Sequence, residues 1–220
     1  MTTTLQRPAT VRRRLASAVL ALSLAAPIGA GVLAPVPAQA QASQAAQAVA
    51  DRFSAVRTMT GSFVQFDAAG NQSEGTFYLE RPGKIRFDYS GQALRVISDG
   101  DQVAINNRRL NTWDLYPLSQ TPMALLLNQR IDLSAANIQD IQQTAELITI
   151  VMADRSRFGG NSRITMMFDP NTYELRQWTV RDAQNRDTTV IISGVREGVN
   201  LDPTMFQIPY QQIRGGATGN

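Results

Sequence analysis

The side chains that most often carry out chemistry are missing from this 220-residue chain. It has no cysteine and no histidine. That removes thiol nucleophiles, thiolate metal sites, disulfides and cysteine-linked lipids, together with the commonest general base and the commonest metal ligand. Carboxylate, lysine or tyrosine chemistry remains. Asp99 and Asp101 flank Gly100 and form a candidate acid–base pair. The run Ser-Asp-Gly-Asp is also what a hairpin turn demands, since aspartate and glycine tolerate turn dihedrals, and the turn is the preferred reading. Gly159-Gly160-Asn161 lacks the Gly-Lys-Ser/Thr signature and following helix of a phosphate loop. Trp113 and Trp178 fall in separate predicted strands, so nothing local makes them a stacking platform. No enzyme signature emerges, and no catalytic residue, metal or cofactor is expected.

One residue stands out for a different reason. In the predicted strand 73–81, alternation places Phe77, Leu79 and Arg81 on one face. A guanidinium aimed at an apolar side is costly unless paired or hydrogen-bonded. Two readings stay open: Arg81 is buried with a partner, or Pro82 ends the strand and Arg81 swings out to solvent.

The elements that position these residues follow from periodicity. Ala45, Val49, Phe53 and Val56 form one stripe of a helix over 44–57. The period then shortens to two. Strands are predicted over 61–66, 73–81, 84–89, 94–98, 102–106, 110–115, 138–141, 146–153, 163–168, 174–181 and 188–195, joined by Gly-, Pro-, Asn- and Asp-rich turns. A short helix over 122–128 interrupts them, with Thr121 as its expected cap and Pro122 at its first position. From Arg214 a mobile tail is expected. Short strands joined by tight turns require antiparallel pairing. Ile85, Phe87 and Tyr89 share one face, opposite Lys84, Arg86 and Asp88, so the sheet is wet outside and apolar inside. The helix 44–57 and the segment 123–127 are its expected covers. Methionines near these covers (Met59, Met123) suit a surface that accepts varied apolar ligands, although methionine fills cores as readily.

The N-terminus reads as an export leader. Arg7 and Arg12–Arg14 precede the apolar stretch 15–33, which is broken by Pro27, Gly29 and Gly31 and followed by Ala38-Gln39-Ala40. Cleavage after Ala40 is expected, giving a removed signal peptide 1–40 and one domain over 41–220. The adjacent arginines also permit a twin-arginine route. The leader holds four of the 21 basic residues and no acid, so the remaining 180 residues carry 17 basic and 18 acidic residues, a net charge of −1. No dense basic patch remains, and a nucleic-acid partner is excluded.

Taken in order, the motifs resemble the periplasmic outer-membrane lipoprotein carriers, the LolA-type family. They are Gly61-Ser62-Phe63-Val64-Gln65, Gly75-Thr76-Phe77-Tyr78-Leu79, then Glu80-Arg81-Pro82-Gly83-Lys84-Ile85-Arg86-Phe87, Ser98-Asp99-Gly100, Tyr116-Pro117, Thr121-Pro122-Met123-Ala124-Leu125-Leu126, and Asp202-Pro203-Thr204-Met205-Phe206 with Ile208-Pro209. Arg-Pro-Gly-x-x-Arg-Phe followed by Ser-Asp-Gly is the most specific part. The resemblance implies an α+β fold: an incomplete, strongly curved antiparallel β-barrel covered by a helical lid over an apolar cavity. It implies a periplasmic, monomeric carrier that shuttles acylated lipoproteins from the inner to the outer membrane. The donor would be an inner-membrane lipoprotein-releasing ABC transporter, and the receiver an outer-membrane acceptor if one exists. The family's arginine before proline maps onto Arg81, which would latch the lid through backbone groups of the helical segments. Cavity-lining candidates are Val49, Phe53, Val56, Phe63, Phe77, Leu79, Ile85, Phe87, Met123 and Leu126. The family's acceptor is anchored through a cysteine after its leader; Gln41 follows the expected cut here, which fits the mobile carrier. The alternative is a lipid- or lipoprotein-sensing module of the same fold. A carboxylate hydrolase would need two acids converging on the inner face.

Overall fold

The computed structural model describes residues 38–131, 138–153 and 162–216, all within one compact unit, Val36–Asn220. The expected leader lies outside the described residues up to residue 37, and so does the Gly159-Gly160-Asn161 segment. The first helix, α1, spans Ala38–Ala55. It begins before the expected cut after Ala40 and ends two residues short of the predicted Arg57. Alanine-rich sequence propagates a helix readily, and its apolar stripe is buried: Ala45, Ala46, Val49, Ala50 and Phe53. Gln44, Gln47 and Asp51 face water. In the last turn Arg52 pairs with Glu197 at 2.5 Å.

Six strands follow as consecutive hairpins: β1 (Thr58–Phe66), β2 (Gln72–Glu80), β3 (Lys84–Tyr89), β4 (Leu94–Asp99), β5 (Gln102–Asn107) and β6 (Thr112–Pro117). A short 3-10 helix, Leu118–Gln120, then leads into α2 (Met123–Leu127). Five more strands are β7 (Ile138–Gln143), β8 (Ile148–Ala153), β9 (Arg163–Phe168), β10 (Leu175–Arg181) and β11 (Asp187–Glu197). All join one 11-stranded sheet in the order β6-β5-β4-β3-β2-β1-β11-β10-β9-β8-β7. Each predicted strand is present, within a few residues at its ends.

The order has a consequence for the covers. Every neighbouring pair is a sequential hairpin except β1 with β11, an antiparallel pairing that fuses two meanders. Strands β6 and β7, consecutive in sequence, therefore end at opposite edges of an open, curved sheet. The chain between them must travel from edge to edge, and its described part, α2, packs Leu126 and Leu127 into the sheet's apolar face. The α+β architecture is thus an incomplete antiparallel barrel with helices over its open side. Among the described residues no helix is long and apolar enough to cross a membrane.

The sheet's inner face carries the core. Phe77 and Leu79 of β2, Ile85, Phe87 and Tyr89 of β3, Ile148, Ile150 and Met152 of β8, and Ile164, Met166 and Phe168 of β9 are all buried there. A second, smaller cluster lies on the outer face, where Ile97 and Ala104 meet Ile208, with Trp113, Tyr210 and Ile213 packed around them.

Two expectations at the chain's secondary elements are corrected. Of the tail expected to be mobile from Arg214, the described part is helical: α3 spans Tyr210–Gly216, because Tyr210 and Ile213 dock on the outer cluster and favour helix over coil, and residues 217–220 lie outside the described residues. Thr121 does not cap α2. Its hydroxyl donates to the Leu118 carbonyl at 2.9 Å, closing the preceding 3-10 turn instead, and α2 starts without a side-chain cap.

The C-terminal segment is tied down by one polar contact: the Tyr210 hydroxyl donates to Asp99 Oδ2 at 2.6 Å. Burial raises the Asp99 carboxyl, but hydrogen bonds from Gln102, Tyr210 and Asp101 outweigh it and hold the group below its ordinary 3.8. A carboxylate depressed in the folded state adds stability above its unfolded pKa and loses it as the pH falls through the folded value. Tyr210→Phe is expected to cost about 1–2 kcal/mol at neutral pH. Urea unfolding should show its deficit against the parent shrinking as the pH drops below 3.8.

Candidate functional site

The apolar interior closed by α1 and α2 is the candidate site, and a turn of three residues ties its walls to its covers. After β2 the chain turns through Arg81-Pro82-Gly83, with a cis bond before Pro82. The Arg81 amide donates to the Arg57 carbonyl at 2.7 Å, which keeps the strand's alternation going one residue past its end. The Arg81 side chain consequently points inward and is only 3% exposed. Of the two readings left open by the residue pattern, the buried one is what the fold adopts.

Inside, the guanidinium has two partners. Its Nη1 donates to the Val56 carbonyl, just beyond the end of α1, at 2.9 Å. Its central carbon sits 3.6 Å from the centroid of the Phe53 ring of α1, a cation–π contact that strengthens when water is excluded. Its Nε and Nη2 are buried without a hydrogen-bond partner among the described residues. Burial lowers its pKa to about 10, against a smaller opposing pull from Glu197. The group therefore stays charged at neutral pH, inside an apolar space, with two of its three nitrogens unpartnered among the described residues.

Gly83 closes the turn onto the other cover. Its amide donates to the carbonyl of Leu127, the last residue of α2, at 2.9 Å. It also stacks on the β4–β5 turn: a Cβ at Gly83 would lie 2.7 Å from Gly100 Cα, and its φ of +81° is one that L side chains rarely adopt. The buried Ser98 hydroxyl locks the two turns together by donating to the Gly83 carbonyl at 2.7 Å. Asp99 Oδ1 accepts from the amides of Asp101 and Gln102 at 3.0 and 2.9 Å, and the Asp101 carbonyl accepts from Leu118 at the start of the α2 connection. Asp99 and Asp101 are thus turn residues, and the Arg-Pro-Gly and Ser-Asp-Gly motifs are two halves of one packed unit.

The residues expected to line the interior fall in one cluster. Val49, Phe53, Val56, Phe63, Phe77, Leu79, Ile85, Phe87 and Leu126 are buried together, and Met123 is partly buried against them. Rings pack edge-on around Phe63, 5.1 Å from both Phe87 and Tyr89. The Tyr89 hydroxyl donates to Gln65 at 2.8 Å, and burial pushes its pKa up to about 12, so it stays neutral. The residue pattern missed the other half of the interior. Ile148, Ile150, Met152, Ile164, Met166, Phe168 and Trp178 supply as much of the wall, and the alternation in Ile148–Met152 and Ile164–Phe168 was the available signal. Leu127, expected only as part of the covering segment 123–127, is buried beside Leu126. A cleft of about 560 Å³ opens beside α1, lined by Gln47, Ala50, Asp51, Ser54, Ala55, Arg130 and Ile131. No group of three or more acidic side chains able to hold a metal ion occurs among the described residues.

Comparison with known proteins follows the same lines. The sequence model of the family described as "Outer membrane lipoprotein carrier protein LolA" matches residues 54–209. The chain is similar to an outer-membrane lipoprotein carrier protein of Methylococcus capsulatus, 27% identical over 161 residues that cover 69% of this chain and 76% of the relative. It is similar to another of the same description from Nitrosomonas europaea, 26% identical over 185 residues covering 80% and 88%. Among solved structures, a LolA superfamily protein from Nitrosomonas europaea superposes with a TM-score of 0.44 at 8% identity, over 75% of this chain and 98% of the other.

Two substitutions separate the parts of the turn. Gly83→Ala should lower stability by about 1–3 kcal/mol, through the strained φ and the contact with Gly100. Arg81→Leu should leave the urea midpoint unchanged or higher, since replacing an incompletely satisfied buried charge by an apolar group is often neutral or stabilising. A large loss of stability in Arg81→Leu would show that the guanidinium is a structural anchor instead.

Proposed function

Because the chain belongs to the outer-membrane lipoprotein carrier family, we propose that it binds lipoprotein acyl chains in the interior beneath α1 and α2 and ferries them through the periplasm. The observation that carries this reading is the manner of closure. Between the sheet and its covers lie apolar contacts and, among the described residues, a few polar ties: the side-chain hydrogen bond from Arg81 to Val56, the backbone bond from Gly83 to Leu127 and the partly exposed ion pair of Arg52 with Glu197. Contacts of this kind can be exchanged for others of the same kind.

An acyl chain replaces the apolar faces of Phe53, Leu126 and Leu127 against the sheet, and burying each CH₂ contributes about 0.8 kcal/mol. That opposes return of the cargo to a membrane without any chemical step, so the protein works as a carrier and not as an enzyme. Arg81 acts as the latch. When closed it holds Val56 and Phe53; when cargo displaces α1, the charged group loses those partners, and the open state is disfavoured until the cargo leaves. Release is thereby linked to reclosure. In this scheme an export leader over 1–40 delivers a soluble monomer, residues 41–220, to the periplasm. An inner-membrane ABC transporter supplies cargo, and an outer-membrane acceptor with more favourable apolar contacts receives it.

Arg81→Leu removes the latch but not the acyl-binding walls, so it is expected to take up lipoprotein and to release it more slowly than the parent. The measurement is transfer of a purified lipoprotein from the carrier to outer-membrane vesicles. Transfer at the parent rate would argue against a latch. Depleting the protein in its own host is expected to strand lipoproteins at the inner membrane, and lipoproteins reaching the outer membrane on schedule would overturn the carrier reading.

A further inference from the structure

The two edges of the sheet are not alike. At one edge β7 is polar, with Gln139 and Asp140 between its two isoleucines and Gln142 and Gln143 after them, and its ladder with β8 is broken by a register shift between Ile138 and Asp140. Proteins blunt edge strands in this way against unwanted pairing. At the other edge β6 pairs with β5 in unbroken register from Thr112 to Pro117. It contains one charged residue, Asp114, and no glycine, lysine or arginine. Of the four exposed large hydrophobic side chains among the described residues, three belong to this edge: Leu110, 67% exposed, Leu115, 36%, and Tyr116, 48%.

We propose that β6 is a docking edge for an extended segment of a separate partner protein, which adds to the sheet as a twelfth, antiparallel strand. Backbone groups turned away from β5 supply the pairing, and alternate side chains supply the selectivity. Residues directly opposite share a face, so Leu115 lies beside Ala104 on the outer side, and Tyr116 beside Val103 on the inner side. The incoming strand thus carries apolar residues on both faces near its middle: one extends the outer cluster around Trp113, the other covers Tyr116.

Charge sets its direction and end. Arg108 and Arg109 are exposed at the β5–β6 turn, and an antiparallel partner has its C-terminal end there, so that end carries carboxylates. A second copy of this chain fits less well. Same-face pairing of β6 with itself centres on Asp114, setting two carboxylates face to face, or on Leu115, which places Pro117, without an N–H, at both ends of a five-residue overlap. The edge is also connected to the cover. Pro117 passes straight into Leu118, whose amide bonds Asp101, and on into α2. A partner seated on β6 is therefore placed to shift α2. That this partner is a handover protein rests on the carrier reading; the docking does not.

The test uses the leader-free protein and a synthetic peptide of threonines around a central run of three valines, which places apolar side chains on both faces, ending in two glutamates. A second version ends in lysines, and a third is N-methylated at alternate amides. Hydrogen exchange of the β6 amides and Trp113 fluorescence report docking. The acidic peptide is expected to slow exchange in β6 and the N-methylated one to leave it unchanged. Leu115→Lys and Tyr116→Lys should each weaken binding about tenfold, and Arg108→Glu with Arg109→Glu should reverse the preference toward the lysine peptide. All of these variants should bind a triacylated lipopeptide like the parent, so loss of docking and loss of carrier function are read separately. The proposal is overturned if no peptide protects β6, if protection appears at β7 instead, or if sedimentation shows a dimer whose β6 is already protected.

Discussion

A charged guanidinium buried in an apolar interior is the constraint around which this molecule is arranged. Among the described residues Arg81 has a single hydrogen bond from its side chain, to Val56, and one aromatic face, Phe53. Both partners belong to α1 or the residues just after it. A charge in such a place is disfavoured unless its neighbours stay put, so the position of α1 and the state of Arg81 are one variable. The same turn reaches α2 through Gly83 and the β4–β5 turn through Ser98 and Gly100. Three residues of sequence therefore couple both covers to the β4–β5 turn.

The sheet's topology makes that coupling useful. Because β6 and β7 lie at opposite edges, the described part of the chain between them is free to serve as a cover, and it is anchored at its start by Asp101 and at the end of α2 by Gly83. The two anchors sit on adjacent turns locked by Ser98. The cover can lift from its Gly83 anchor while its Asp101 end stays in place, without unpairing a strand. Apolar contacts beneath it have no directional requirement, which suits acyl chains that differ in length and saturation.

The residues announced some of this and concealed the rest. Alternation in β2 and β3 separated Ile85, Phe87 and Tyr89 from Lys84, Arg86 and Asp88, because one face is dry and the other wet. In β4 and β5 apolar residues occupy both faces (Val96 with Ile97, Val103 with Ala104), since α3 covers the outer side, and alternation is silent there. Pairing of β1 with β11 joins segments more than a hundred residues apart, which no local pattern encodes. The glycine pair after Arg214 argued for a mobile tail, and in its described part, 214–216, docking of Tyr210 and Ile213 favours helix instead. Arg81 was ambiguous because Pro82 could have released it; the bond from its amide to Arg57 decides the direction. Its role needed the family resemblance as well as geometry.

The central claim is that acyl chains occupy the interior by displacing the covers from the Arg81–Gly83 turn. Hydrogen exchange of the leader-free protein, with and without a triacylated lipopeptide and with the same peptide unacylated, tests it most directly. The account expects the acylated peptide alone to accelerate exchange at the Gly83 amide, whose acceptor is Leu127 of the cover, while the amides of β8 and β9 stay protected. Binding of the acylated peptide with Gly83 exchange unchanged, or equal effects from the unacylated one, would contradict it.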